Sequence, residues 1–174
     1  PCEVSTAIAK PADGVMQVAY LVHDEQKIGL INKLISDKPD YSSILIFSST
    51  KKKVNDLVRS LIRHGNNAKA ISSDLEQKER EQVLAGFRSR QTRILVATDV
   101  LSRGIDIKDI HLILNYDVPQ DAEDYVHRVG RTARADKSGV AITLINQDDM
   151  FKFHRIEELI QMKILKLPVP SELG

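Results

Sequence analysis

The stretch Tyr-Val-His-Arg-Val-Gly-Arg-Thr-Ala-Arg, residues 125–134, sets Arg128, Arg131 and Arg134 three positions apart behind His127. Residues at that spacing are neighbours on a helix or tight turn, where like charges repel by a few tenths of a kcal/mol. The stretch contains no carboxylate of its own, so an anion is expected nearby, from the rest of the fold or from a ligand. Taken alone, an arginine cluster more often serves a structural salt-bridge network than a ligand.

Other polar residues gather at comparable places. Short apolar runs are followed by hydroxyls, cations and one or two carboxylates. After Ile-Leu-Ile-Phe come Ser48, Ser49, Thr50 and then Lys51, Lys52, Lys53; after Arg-Ile-Leu-Val-Ala come Thr98, Asp99, Ser102, Arg103, Gly104 and Asp106. Gln77 and Arg80 sit one turn apart at the start of an amphipathic stretch that continues to Leu84 and Phe87. Helix N-termini attract phosphate through free N–H groups and the dipole, and Arg80 would reinforce that. Each feature has a plainer use: a lysine run is usually a solvated surface, Gln and Arg are ordinary helix formers, and Asp106 can cap a turn. Their joint arrival at one kind of position is what carries weight.

The elements that must position these groups are legible from periodicity. The runs VMQVAYLV, SILIFSS, AKAIS, RILVATDV, HLILNYD and GVAITLI are short, β-branched and apolar on consecutive positions, as expected of strands buried on both faces. Between them, Val54, Leu57, Val58, Leu61 and Ile62 follow a helical stripe, with Gly65 placed to end it. Ile28, Ile31 and Ile35 give a second stripe, a third helix starts near Glu76, a fourth covers Met150 to Ile160, and a short helix carries His127 and the arginines. Alternation of this kind predicts an α/β fold, a doubly wound, mostly parallel sheet with helices on both faces. Ligands of such sheets bind at the carboxyl ends of the strands, where the polar groups above fall. The tail KILKLPVPSELG either closes against the domain or leads elsewhere.

Bulk composition bounds the rest. The 174 residues suit one domain, 42% hydrophobic and 28% charged, with a formal charge of +1 that pulls nothing onto nucleic acid globally. Binding of nucleic acid therefore requires a local patch. Aromatic residues make up 5% and tryptophan is absent, which disfavours base stacking as the main mode. Cys2 is the one cysteine, the five histidines are dispersed without metal-ligand spacing, and no apolar run approaches the ~20 residues of a membrane span. The first residues lack a signal-peptide pattern. The expectation is a cytoplasmic domain without membrane contact or a metal site of its own. No glycine precedes Lys-Ser or Lys-Thr, so the phosphate loop G-x-x-x-x-G-K-[ST] is missing and a nucleotide needs its main cradle elsewhere.

These residues resemble a known family. Ala97 to Ile107 (ATDVLSRGIDI) and Tyr125 to Arg134 (YVHRVGRTAR) are similar to motifs V and VI of DEAD-box RNA helicases, ILIFSST to motif IV, and DLEQKER to the Q-x-x-R element. Order and spacing agree from about Gln17 to Leu167, and the resemblance is to the C-terminal RecA-like domain alone. The entry segment resembles bacterial broad-specificity members best. Residues 1–14 would be the interdomain linker and 15–174 the second RecA-like domain, with the first domain and its phosphate loop absent.

The resemblance implies roles residue by residue. Arg131 and Arg134 would be arginine fingers reaching ATP, with Asp106 on the ribose and Gly104 permitting close backbone approach. ATP with Mg2+ would be held mainly by the N-terminal domain of the same protein. His127 and Arg128 would bridge the two domains. Thr98, Arg80, Gln77, Ser49 and Thr50 would contact single-stranded or duplex RNA. The full protein would be an ATP-dependent RNA helicase, whereas this fragment, a monomer, would hydrolyse nothing alone. The alternative is a non-catalytic RNA-binding or scaffold domain of the same fold; a phosphoacceptor signalling domain fits less well, because it needs an acidic cluster after an early strand and SILIFSS is followed by Ser, Thr and Lys. Two departures from the family stand out: Ser72-Ser73 ahead of Asp74 where many members have His-Gly, and Asp136 where many have glycine.

Overall fold

The computed structural model describes residues 15–98, 109–132 and 139–170. In chain order the elements are β1 (Val15–Leu21), α1 (Lys27–Ser36), β2 (Ile44–Ser48), α2 (Lys51–Arg63), β3 (Ala68–Ile71), α3 (Gln77–Arg88), β4 (Ile94–Thr98), β5 (Leu112–Asn115), α4 (Ala122–Gly130), β6 (Gly139–Ile145), α5 (Met150–Ile160) and β7 (Leu165–Pro168). Short 3₁₀ turns precede α1 and α5.

Successive strand residues point to opposite faces, and both faces of this sheet are apolar. Leu45 and Phe47 of β2, Leu95 and Ala97 of β4, and Ile113 of β5 pack under α3, α4 and α5. Ile44 and Ile46, Ile94 and Val96, and Leu112 and Leu114 pack under α1 and α2. That double burial accounts for apolar runs on consecutive positions. The seven strands lie in the order β3-β4-β2-β5-β6-β1-β7. All their pairings are parallel, so the mostly parallel sheet expected from sequence is parallel throughout its described strands.

Register aligns the carboxyl ends that matter. Ser48, last in β2, lies beside Thr98, last in β4, while Phe47 lies beside Asn115, last in β5. β3 flanks β4 on the other side and hands the chain to α3.

Helix boundaries follow local chemistry. Thr50 caps α2, its side chain accepting from the Lys53 N–H, and Gly65 leaves the helix at φ +87°. Glu76 and Glu79 form a reciprocal capping box on α3. The apolar stripe of α2 is narrower than its periodicity predicts: Ile62 is 54% exposed, and Ser60 is buried in its place. Ser60 earns that position by accepting a hydrogen bond from Asn32 of α1 at 3.0 Å. Similarly, α1 buries Leu30, Ile31, Leu34 and Ile35, with Ile28 only half-buried.

The tail closes on the domain as β7, paired with β1. Its anchor is Glu157 of α5, which accepts from the Ile164 N–H at 2.7 Å and from Lys166 Nζ at 2.8 Å. Glu157→Ala leaves both donors without this acceptor and should cost about 1–3 kcal/mol. Hydrogen exchange should then quicken in β7 while β2, β4 and β5 retain their protection. Unchanged protection of β7 would refute the anchor.

Candidate nucleic-acid and nucleotide edge

Everything singled out from sequence that lies within the described residues maps to the carboxyl edge of the sheet or to the helices leaving it. Thr98 ends β4, Ser49 and Thr50 follow β2, Gln77 and Arg80 open α3, and His127, Arg128 and Arg131 lie on α4 or at its end. Gly104, Asp106 and Arg134 lie outside the described residues, as do Asp99, Ser102, Arg103 and Asp136.

The β2–α2 turn is held by a carboxylate that sequence reasoning did not single out. Asp117, two residues past β5, accepts from the Ser49 backbone N–H at 2.8 Å and from Ser48 Oγ at 3.1 Å. Lys53 Nζ reaches its other oxygen at 2.9 Å, and Lys27 Nζ lies 3.7 Å from that same oxygen. Lys27, the first residue of α1, is 0% exposed; it donates to the Tyr116 carbonyl at 2.9 Å and pairs with Asp24 at 3.2 Å. Its ammonium also lies 5.1 Å from the centre of the Tyr116 ring. A sequence signal for Asp117 existed, because it follows an apolar run like the other candidates. None existed for Lys27, whose burial depends on how α1 meets β5.

Toward β3, Lys51 of α2 pairs with Asp74 at 2.9 Å, and Ser72 Oγ accepts from the Asp74 N–H at 3.3 Å. The Ser72-Ser73 departure thus sits in a turn tied to the start of α2. Arg80 lies partly buried, and its buried Nε has no hydrogen-bond partner among the described residues. Gln77 is exposed and donates to Glu81 at 3.2 Å. Thr98 is buried, its neighbours fixed by the register above.

The arginine helix divides inward and outward. His127 is exposed, whereas Arg128 is 2% exposed and donates to Asn115 Oδ1 at 3.0 Å. Asn115 in turn donates to Thr143 Oγ1 of β6 at 3.2 Å, and the Arg128 guanidinium stacks 4.7 Å from the centre of the Phe47 ring. Arg128 thus fastens α4 to three central strands. Arg131 is the C-cap residue of α4, half-buried, with its carbonyl accepting from the Ile110 N–H. Thr132 follows, its hydroxyl donating to the Ile110 carbonyl. β6 begins against this residue, and a Cβ on Gly139 would overlap the Thr132 side chain and carbonyl, so glycine is needed for the approach.

Burial pushes the Asp117 carboxyl up, but the hydrogen bonds from Lys53 and the Ser49 N–H, with the charges of Lys27 and Lys53, outweigh it. The group therefore sits below its ordinary value of 3.8. A carboxylate held below its unfolded value adds stability that is complete above that value and lost as pH falls through the folded one. The stability difference between the parent and Asp117→Asn should therefore shrink from about pH 5 to about pH 2 in denaturant titrations. A difference constant over that window would sink the assignment.

Comparison with known proteins agrees with this arrangement. The family described as helicase conserved C-terminal domain matches residues 26–136. The ATP-dependent RNA helicase CshA of Limosilactobacillus reuteri is 38% identical over 159 residues, covering 91% of this chain and 32% of the relative. The ATP-dependent RNA helicase RhlB of Xanthomonas axonopodis pv. citri is 42% identical over 159 residues, covering 91% of this chain and 28% of its own. The chain thus spans about a third of the length of these curated relatives. Among solved structures, a DEAD box protein from the hyperthermophile Methanococcus jannaschii superposes with a TM-score of 0.81 at 39% identity, over 88% of this chain and 42% of that one. Dbp5 of S. cerevisiae, bound to RNA and ADP BeF3, gives a TM-score of 0.83 at 28% identity, over 93% of this chain and 44% of the other. The sheet order, the edge and the matched residues place this chain in the helicase conserved C-terminal domain family, as the second, RecA-like domain of the DEAD-box type.

Proposed function

We propose that this domain works as one half of an ATP-dependent RNA helicase, gripping the RNA backbone and completing an ATP site built mainly by an N-terminal RecA-like partner. The observation that carries the reading is the division of one sheet edge into two territories. Over β2, β4 and β3 lie Ser49, Thr50, Thr98, Gln77 and Arg80, all hydroxyl, amide or cationic groups suited to phosphodiester oxygens. Beyond β5 lies α4, with His127 exposed and Arg131 at its end.

Phosphoryl transfer needs positive charge near the γ-phosphate oxygens at the transition state, and a guanidinium supplied from a second domain is worth ~10³–10⁵ in rate. Arg131 takes that role, with Arg134 as the second finger. Asp106 receives the ribose, Gly104 admits the backbone, and Mg2+ stays with the N-terminal half. His127 faces the partner domain, while Arg128, already committed to Asn115 and Phe47, supports α4 from within. Without the partner's phosphate loop, the fragment binds ATP weakly and does not hydrolyse it. The relatives named as ATP-dependent RNA helicases, and the neighbour solved with RNA, support the reading.

The deciding experiment uses the protein with its upstream half joined at Pro1. Arg131→Ala should lower RNA-stimulated ATP hydrolysis roughly a thousandfold with RNA affinity retained. Unchanged hydrolysis would move the cluster to structure or RNA and favour a non-catalytic domain. Arg80→Ala should instead weaken RNA binding evenly across sequences and flatten the log K against log salt slope by about 0.7, one single-strand phosphate contact. A sequence-dependent loss, or an unchanged slope, would remove Arg80 from the backbone contacts.

A further inference from the structure

Lys27 is a fully buried ammonium whose described acceptors all gather at the carboxyl edge: the Tyr116 carbonyl, Asp24 and Asp117. An ammonium with no access to water is costly unless paired and hydrogen-bonded, and a methionine of similar length would fill the same space without that cost. Its partners indicate what the charge is for. Asp117 is the group that holds the Ser49 N–H and Ser48 Oγ, so it fixes the turn from β2 into α2. A carboxylate at that point would also repel any polyanion brought to Ser49 and Thr50.

Two lysines offset it, and they differ in one respect. Lys53 is partly exposed, on a flexible stem at the protein surface, where an incoming phosphate competes for it. Lys27 is sealed beneath Tyr116 and cannot be drawn away. With Lys27 in place, Asp117 stays neutralised and keeps its grip on Ser49 whatever Lys53 does.

We propose that Lys27 is a positioning residue for the RNA edge: through Asp117 it fixes the β2–α2 turn and cancels the carboxylate charge beneath it. This rests on the reading of that edge as the RNA-binding surface. Lys27 touches no RNA itself. It acts on the strength of RNA engagement and leaves the chemistry at ATP intact.

The test uses the two-domain protein, a single-stranded homopolymeric RNA and steady-state ATP hydrolysis. Lys27→Met should raise the half-saturating RNA concentration about tenfold or more, the scale expected when a supporting group lets its site loosen. The kcat at saturating RNA should stay within about twofold. Hydrogen exchange of the Ser49 amide should quicken in the same variant, in the absence of RNA. Unchanged RNA half-saturation in a folded Lys27→Met protein overturns the proposal, as does a fall in kcat alone. If Lys27→Met does not fold, Lys27→Gln, which removes the charge but keeps a donor for the Tyr116 carbonyl, makes the same decision by the same split. Absence of RNA-stimulated hydrolysis in the parent protein would instead refute the helicase reading, so the two failures are distinguishable.

Discussion

A parallel sheet covered by helices on both faces leaves only its two outer strands and the ends of its strands uncovered. Here both faces are filled, by α3, α4 and α5 on one side and by α1 and α2 on the other. The candidate residues accordingly fall at the carboxyl edge, where strand carbonyl ends meet helix N-termini. The order β3-β4-β2-β5 makes that edge continuous: segments separated by tens of residues in sequence become adjacent strand ends. Ser48 beside Thr98 is the clearest case, since fifty residues of chain are brought into register by one parallel pairing.

Crowding an edge with cations creates a second problem, which is to hold them until an anion arrives. The fold solves it in two ways that differ by burial. Lys51 and Lys52 pair with Asp74 and Asp56 at the surface, where ion pairs are weak and exchange readily with a competing phosphate. Arg128 and Lys27 are sealed inside, with fixed acceptors and an aromatic ring each, and serve as supports. Exposure thus sorts residues that look alike in sequence into surface pairs and buried supports.

That sorting marks the boundary of what the sequence discloses. Strand identity was legible because double burial imposes consecutive apolar residues, and the parallel sheet followed from the alternation with helices. The motif residues were legible as polar groups after apolar runs and through family resemblance. Arg128 was expected to bridge to another domain; that it is buried over Phe47 depends on how α4 is rotated, which periodicity alone does not specify. Ile62 erred for a related reason: a five-residue stripe reads as buried, but Ser60 takes the buried place through a bond to a different helix. Lys27, and the grip of Asp117 on the β2–α2 turn, became visible only once α1, β2 and β5 were set side by side. Pairwise tertiary partners are the missing information in each case.

The two territories of the edge share a support, and that bears on why ATP and RNA should act together. Asn115 receives Arg128 from the arginine helix, and Asp117, two residues on, holds the turn that carries Ser49. One short stretch, 115–117, therefore anchors both α4 and the β2–α2 turn. Coupling between two ligands is reciprocal: whatever RNA does to the closed, ATP-engaged state, ATP does to RNA affinity by the same factor. A domain whose two ligand-facing segments hang from the same strand end has little freedom to move one without the other. In the two-domain helicase proposed above, closure would then order both at once. On that proposal, ATP hydrolysis would remove the γ-phosphate contact and with it the differential affinity holding the cleft shut.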